Sequence, residues 1–388
     1  MINARLIAAA RVSSLKSLWQ RMTNTRLITA ARVSSLQSLW RRFGWIGWVL
    51  VLLIAVSFPF LVDRPRFWLP NIGVKSLWLG IIAMSLVFLN RYVGLLSLAQ
   101  VTIAGIASYG VGYVMVTLGL PFGVAIPAGL LVGTFAGFII ALIAARTKAI
   151  YFLMITLALG YVFFSWASQA IEVTNARRGL APIVKPDLGF INLNEVTAFY
   201  FFALICAVIC YLLCRYVAAS SFGLTLQGIR DSPERMAALG YRVNRYRIAA
   251  ITFAAFIASV GGVVLVFDRA QVDPDVVSLG STLDVLVVAI IGGILSLGGV
   301  FVGAIILTML DNFAQDFTDR YMTLTGIVFI LVLLFAPTGI AGIGKQVGQA
   351  VRRLRKNDFS ESQSGASPEQ EPEATQLTGD AITKGNQQ

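Results

Sequence analysis

Apolar runs of about 20 residues recur along most of this chain, and they constrain its fold more than any other feature. A helix of about 20 apolar residues crosses the hydrocarbon core of a bilayer. The runs are uninterrupted, whereas the strands of a membrane barrel alternate apolar and polar residues. Only 13% of the 388 residues are charged, roughly half the share in an ordinary soluble domain. The sequence therefore predicts an all-α, polytopic integral membrane protein.

Residues 45–344 are expected to form the membrane domain, with about eight spanning helices and one broken helical segment. The predicted spans cover residues 45–62, 74–89, 93–118, 122–145, 150–171, 197–216, 248–267 and 322–336. In residues 284–310, two glycine pairs bracket four residues, and each glycine weakens a helix by about 1 kcal/mol. We therefore predict a helix broken near mid-membrane. If it re-enters the membrane, the acidic residues 311–319 lie outside.

Basic residues are concentrated in the N-terminal extension 1–44, in the polar stretch 215–247 and at the start of the C-terminal tail 345–388. Lys and Arg beside spans favour the cytoplasmic side. We therefore expect both termini and residues 215–247 to lie in the cytoplasm. Arg64 and Arg66, on a predicted outer loop, are an exception to this bias. The net charge is +12, and its arginines are distributed between the spans, so they indicate orientation and not a nucleic-acid partner.

The extension 1–44 contains a tandem duplication, in which residues 5–21 recur as residues 26–42 with 14 of 17 positions identical. Each copy is basic and amphipathic, which predicts a helix lying on the anionic inner surface of the membrane. A disordered extension is the alternative. The composition does not match a secretory signal, because no apolar region with a small-residue cleavage site follows. From residue 357 the tail is rich in Ser, Gln, Glu and Pro and is predicted to be disordered.

Two sets of small residues indicate helix packing rather than chemistry. Span 122–145 contains a glycine stripe at four-residue spacing, which lets another helix approach closely: Gly129, Gly133 and Gly137. The predicted span 197–216 carries three cysteines on one face, for which packing is favoured over a metal or redox site: Cys206, Cys210 and Cys214. The chain has no histidine, which removes His-based acid–base chemistry and His metal ligands. No catalytic or metal-binding residue is therefore predicted.

The middle of the polar stretch predicts a short helix. Asp231 or Ser232 can cap its start, Pro233 suits its first position, and Glu234 favours the positive end of its dipole. Gly240 suits a left-handed helix end. A helix of about two turns is too short to be stable alone in water, so it is expected to need a partner surface. A solvated loop between two spans is the alternative.

Two short sequence words resemble each other, LLSLAQV at residues 95–101 and ILSLGGV at residues 294–300. Corresponding interrupted helices in two halves of a membrane protein are typical of a transport path, and chance similarity is the alternative. Polar side chains at membrane depth are costly unless they pair or face water. The candidate translocation-path residues are Ser97, Gln100, Thr102 and Ser296. Hydrogen bonding between helices is the alternative role.

Two further patterns are near-misses. Residues 339–346 almost form a phosphate-binding loop, but they lack the Ser or Thr that holds magnesium and follow a span rather than a strand. A helix end with basic anchoring is favoured there. Asp284 and Asp311 flank the broken segment, where a proton or cation relay is conceivable. Their position at the predicted membrane edges favours simple interfacial solvation.

Five stretches in order resemble the membrane permease subunits of branched-chain amino-acid ABC importers, over about residues 45–344. They read GLLSLAQVTIAGIASYG (94–110), RTKAIYFLMITLALG (146–160), SSFGLTLQGIRDSPERMAALGYRVNRYRIAA (220–250), VVAIIGGILSLGGVFVGA (287–304) and FAPTGIAGI (335–343). Two features depart from the family pattern: the duplicated extension, and the paired arginines in NARRGLAPI (175–183), which put the substrate in question.

The resemblance implies that residues 231–246 dock on a cytoplasmic ATPase. The implied ATPase-coupling residues are Asp231, Glu234, Arg235, Ala238 and Gly240. It also implies a multi-pass location in a bacterial inner membrane. The implied partners are a second homologous permease subunit, a periplasmic or extracellular solute-binding protein and membrane lipid. This chain itself is expected to bind no cofactor and to be no enzyme, with ATP bound on the partner subunits.

The function that follows is ATP-driven import of branched-chain or other hydrophobic, neutral amino acids. Import of urea or short amides by a permease of similar pattern is the nearest alternative. An ion-coupled secondary transporter is the alternative from another class. It would need intramembrane carboxylates, and residues 45–216 offer none within their predicted spans.

Overall fold

The structure is a computed structural model that describes Leu53, Gly326 and residues 55–59, 65–147, 149–185 and 193–317. The duplicated extension, the last predicted span, residues 339–346 and the tail lie outside this part of the chain, as does most of the first predicted span. Regular structure in the described part is helical, apart from an isolated antiparallel bridge between Leu180 and Val272. The predicted all-α fold is confirmed.

The principal helices follow one another along the chain. They are α1 (Leu69–Val93), α2 (Gln100–Thr117), α3 (Phe122–Ala144), α4 (Ala149–Ala167), α5 (Val196–Ala219), α6 (Ser221–Asp231), α7 (Pro233–Ala238), α8 (Val243–Arg269), α9 (Leu279–Gly292) and α10 (Gly299–Phe317). Within the described residues, six of these helices are long and apolar enough to cross a membrane, namely α1 to α5 and α8. Shorter helical turns occupy Pro65–Trp68, Ile171–Thr174, Ala176–Arg178 and Pro274–Val277.

Helix α1 lies at the centre of the bundle, where 94% of its most apolar window is buried by other parts of the chain. It contacts α8 through the rings of Phe88 and Phe253, whose centroids are 5.0 Å apart. It contacts α10 at Gly80, where an added Cβ would lie 2.5 Å from the Phe301 ring. Helix α8 is also largely buried, whereas α3, α4 and α5 expose most of their apolar surface. The described bundle is therefore built around α1 and α8, with α3, α4 and α5 at its periphery.

The predicted glycine stripe is the contact surface of α3, as expected from its spacing. A Cβ at Gly133 would lie 2.4 Å from Ser259 Oγ of α8, and one at Gly137 would lie 2.1 Å from Ala255 Cβ. Gly129 faces Val111 of α2 at a similar separation. Real side-chain atoms cannot approach so closely, so the absence of a Cβ sets the distance between α3 and its two neighbours.

The predicted span 93–118 is wrong at its beginning. Gly94 has φ +73°, which ends α1, and residues 95–99 are not helical, so that α2 begins only at Gln100. The same arrangement occurs in the second sequence word: Gly293 has φ +100°, residues 294–298 are not helical, and α10 begins at residue 299. Both words therefore mark an interruption that follows a positive-φ glycine and precedes a helix.

The segment 284–310 is broken as predicted, into the end of α9 and most of α10. The two helices pack closely, because a Cβ at Gly303 would lie 2.4 Å from the Val288 carbonyl oxygen. Five other predicted spans correspond to helices with shifted bounds, namely 74–89, 122–145, 150–171, 197–216 and 248–267. Helix α8 begins at Val243, five residues before the predicted span 248–267, and so includes part of the polar stretch.

The bundle has two ends with different contents. The α7 end carries α6, α7 and both interruptions. The opposite end carries the ion pair between Lys75 Nζ and Asp311 Oδ2, at 3.2 Å, and the bridge between Leu180 and Val272. Near that bridge, the Lys185 ammonium lies 4.4 Å from the centroid of the Phe199 ring. Burial lowers the pKa of Lys185, and the charge of Asp268 opposes that shift.

Candidate functional site

Helix α6 carries α7 on its surface at one end of the bundle. The Ser220 side chain caps α6 by accepting a hydrogen bond from the Gly223 backbone nitrogen, at 3.4 Å. Met236 of α7 packs on Gly228, where an added Cβ would lie 3.0 Å from the Met236 sulfur. The missing side chain at Gly228 thus lets a helix too short to be stable alone rest on a longer, capped one.

The predicted short helix is confirmed, except for its cap. It spans Pro233–Ala238, with Pro233 in its first turn, and Gly240 takes the left-handed conformation with φ +89°. Ser232 occupies the N-cap position without a side-chain hydrogen bond to the helix. Asp231 instead accepts hydrogen bonds from Nε and Nη2 of Arg230, at 2.9 and 2.8 Å. The neighbouring guanidinium therefore takes the carboxylate that was expected to cap α7.

The outer surface of α7 is unoccupied by other described residues of the chain. All five candidate coupling residues are exposed: Asp231, Glu234, Arg235, Ala238 and Gly240. Leu239 lies among them with 68% of its surface exposed. The outer surface of α7 thus combines one large exposed apolar side chain with charged side chains.

A chain of hydrogen bonds connects α6 to the interruption between α9 and α10. Arg230 Nη1 donates to the Arg91 carbonyl oxygen at 2.6 Å, at the end of α1. Arg91 Nη1 in turn donates to the Leu295 carbonyl oxygen, and Asn90 Nδ2 donates to that of Ile294 at 3.4 Å. The sequence did not predict a role for Asn90 or Arg91. The available signal was a basic residue in the last turn of a helix that ends at a glycine.

The candidate path residues lie around the starts of α2 and α10. Ser97, Gln100 and Thr102 are buried within the single chain, and Ser296 is half-buried. Ser296 Oγ accepts a hydrogen bond from the Gly299 backbone nitrogen at 3.1 Å. Thr102 faces α4, because a Cβ at Gly160 would lie 2.8 Å from Thr102 Oγ1. The first three residues are close in sequence but not in orientation, because Gln100 faces Ser85 of α1 whereas Thr102 faces α4. Ser296 lies in the other interruption.

Gln100 is incompletely satisfied. Its Oε1 accepts a hydrogen bond from Ser85 Oγ at 3.0 Å, whereas its buried Nε2 has no partner among the described residues. An unsatisfied buried amide costs about 1–3 kcal/mol.

The three cysteines of α5 are free thiols, with Cys210 and Cys214 buried in the helix bundle. Nothing in the described part of the chain groups three or more metal-ligating side chains.

Comparisons with known proteins agree with this arrangement. Residues 69–337 match the family described as "Branched-chain amino acid transport system / permease component". The permease protein LivM of the high-affinity branched-chain amino acid transport system of Escherichia coli (strain K12) is 24% identical over 319 residues, which cover 75% of this chain and 73% of LivM. LivM of Salmonella typhimurium is 23% identical with the same coverage.

A third relative matches a shorter part of this chain. The permease protein BraD of the high-affinity branched-chain amino acid transport system of Pseudomonas aeruginosa is 30% identical over 131 residues, which cover 33% of this chain and 42% of BraD. The family match, by contrast, includes α1 to α10 and both interruptions. The chain therefore belongs to the family of permease components of branched-chain amino acid transport systems.

Proposed function

We propose that this chain is one of two permease subunits of an ABC importer for branched-chain or other neutral, apolar amino acids in a bacterial inner membrane. The observation that carries the proposal is the family match over residues 69–337, which includes all the principal helices. Separate cytoplasmic ATPases supply the energy, and a solute-binding protein delivers the amino acid. The other partners are a second homologous permease and membrane lipid.

The charges of the bundle support an orientation with the α7 end in the cytoplasm. Arginines predominate at that end: Arg91, Arg146, Arg215, Arg230, Arg235, Arg242, Arg245 and Arg247. The described residues at the opposite end include fewer basic ones: Lys75, Arg177, Arg178, Lys185 and Arg269. An excess of basic residues next to spans favours the cytoplasmic side. In this orientation α7 is presented to the ATPase and the opposite end to the binding protein.

The exposed surface of α7 is the proposed contact with the ATPase. Leu239 supplies an apolar anchor, and Glu234 and Arg235 supply charges of opposite sign beside it. Movement of α7 would reach the interior through α6, because Arg230 is bonded to the end of α1 and Arg91 to the interruption before α10. Nucleotide hydrolysis on the partner is thereby coupled to the helices that hold the candidate path residues.

The energy source separates this proposal from an ion-coupled secondary transporter. In membrane vesicles holding the complete transporter, leucine uptake should continue with a proton ionophore as long as ATP is maintained. It should stop when ATP is depleted, even with the proton gradient intact. Initial rates of radiolabelled leucine uptake measure both arms. Uptake that follows the gradient and ignores ATP would refute the ABC assignment.

A second test concerns the translocation path. Ser97→Cys, Gln100→Cys and Ser296→Cys, in a chain whose three native cysteines are replaced by alanine, should react with a small water-soluble thiol reagent in the assembled transporter. Their reactivity should change when ATP is trapped on the partner, because the interruptions move with α6. Peptide mass spectrometry measures the modified fraction.

Leu131→Cys is the matched control for that test. Leu131 is 70% exposed on α3 and lies on the side of the helix away from the glycine stripe, where lipid excludes a charged reagent. It should stay unmodified in every state. If the three path cysteines are inert in every state while a cysteine at Gly129 reacts, different helices line the pore.

A further inference from the structure

A cavity opens at the end of the bundle opposite α7, and none of the candidate path residues lines it. Counted over the positions that the centre of a water molecule can occupy, its volume is about 80 Å³. That is room for about six waters. Residues from α1, α2, α8, α9, α10 and the turn Pro274–Val277 line it, so it is built into the fold.

The cavity is apolar inside and charged at its mouth. Its inner wall consists of buried aliphatic side chains: Leu79, Ile82, Val101, Ala104, Val285 and Leu307. Two cationic and two anionic side chains are also part of the lining: Lys75, Arg269, Asp284 and Asp311. Both Arg269 and Asp284 are exposed, which places them at the opening. The mouth therefore carries balanced charge around an apolar recess.

The four charged groups are not equivalent. Lys75 and Asp311 neutralise each other at 3.2 Å. Arg269 and Asp284 form no ion pair with another residue in the described part of the chain, and the charges that act on Asp284 are those of Asp311, Lys75 and Arg269, in decreasing order. The Arg269 guanidinium lies 5.9 Å from the centroid of the Trp78 ring, and Trp78 also lines the cavity. One unpaired charge of each sign thus remains at the mouth.

We propose that this cavity is an entry subsite for a zwitterionic amino acid with an apolar side chain. The Arg269 guanidinium binds the carboxylate, since its fork of donors matches two oxygens. The Asp284 carboxylate binds the ammonium, and the aliphatic wall receives the side chain. The inference rests on the proposed function and on the orientation that places this end outside, where the binding protein releases its cargo.

The pair of Lys75 and Asp311 has a different role. It joins α1 to α10 across the cavity and holds the mouth in shape. The exposed charges at the mouth interact in water, where such contacts are weak, so the subsite should bind at millimolar rather than micromolar concentration. Weak binding suits a subsite through which the solute passes inward.

Protection of a cysteine at the mouth tests the subsite directly. Ser281 lines the cavity and is half-buried, so Ser281→Cys introduces a small probe there. The assembled transporter, with this chain's native cysteines replaced by alanine, is treated with a small thiol reagent at increasing leucine concentration. We expect millimolar leucine to slow modification of residue 281, measured by peptide mass spectrometry.

Variants and analogues assign each contact. Adding Asp284→Asn should raise the half-protecting leucine concentration about tenfold, and Arg269→Gln should do the same. The deaminated analogue 4-methylpentanoate should protect as well as leucine in the Asp284→Asn protein but not in the Ser281→Cys parent. The decarboxylated analogue isopentylamine should behave correspondingly with Arg269→Gln.

Asp275→Asn and Arg178→Gln are the matched controls, since both residues are exposed at the same end and neither lines the cavity. Protection should be unchanged in both. A loss of protection with Asp275→Asn equal to that with Asp284→Asn would overturn the proposal in favour of a general surface charge effect.

The same preparation, reconstituted with ATP, is assayed for leucine uptake. If uptake is intact and leucine does not protect residue 281, the subsite is refuted while the transport function stands. If the native transporter itself fails to take up leucine with ATP, the transport function fails, and the subsite with it.

Discussion

Amino-acid uptake should fall at least about tenfold when Glu234→Arg and Gly240→Val are combined, while the amount of the chain in the membrane stays the same. Gly240 has φ +89°, a conformation that strains valine, so the end of α7 must change shape. Glu234→Arg reverses a charge on the exposed surface of the same helix. Initial uptake rates in vesicles, normalised to the chain content, measure the effect.

The structure explains why the fold should tolerate this double change. Both residues are exposed, and an added Cβ at Gly240 would meet nothing within 4 Å. Gly240→Asn is the conservative control, because asparagine accepts the left-handed conformation. This control should keep near-normal uptake. ATP-driven uptake at the native rate in the double variant would exclude α7 as the coupling surface.

The largest loss of stability is expected from Gly137→Val. The new Cβ would overlap Ala255 Cβ at 2.1 Å, and the contact lies between two helices rather than at a flexible side-chain end. Overpacking of this kind costs about 1–3 kcal/mol for a few added methylenes, and more where the backbones must separate. We expect a fall in the unfolding midpoint on the order of 10 °C. Thermal unfolding in detergent, followed by intrinsic fluorescence, measures it.

Gly123→Val is the matched control on the same helix. Gly123 is exposed in the first turn of α3, and an added Cβ there would meet nothing within 4 Å. The midpoint of this variant should stay within a few degrees of the native value. Equal midpoints for the two variants would mean that α3 and α8 do not pack through the glycine stripe.

Local patterns predicted much of this fold because the responsible forces are local. The apolar length of residues 122–145 predicts α3, and the spacing of its glycines predicts a contact surface that the structure confirms. The order of Pro233 and Gly240 predicts both ends of α7. Each of these signals depends on helix geometry or on backbone conformation within a few residues.

The parts that could not be predicted depend on tertiary contacts. Residues 95–99 are as apolar as a helix, so nothing local distinguishes the interruption that follows Gly94. The bond from Arg230 to the Arg91 carbonyl joins residues 139 positions apart. Asp311 was assigned simple solvation because its partner, Lys75, lies 236 positions away. The roles of these charged residues become visible only once the bundle is assembled.

The central position of α1 has a consequence for biosynthesis. Helix α1 is made first among the described spans, yet the helices that bury it, α8 and α10, are made long afterwards. At about 5–20 residues per second, the 236 residues between Lys75 and Asp311 take about 10 to 50 s to synthesise. During that interval α1 must reside among lipids, with the Lys75 ammonium extended to the headgroups. The most enclosed of the described spans therefore depends on the bilayer as its first solvent for that interval.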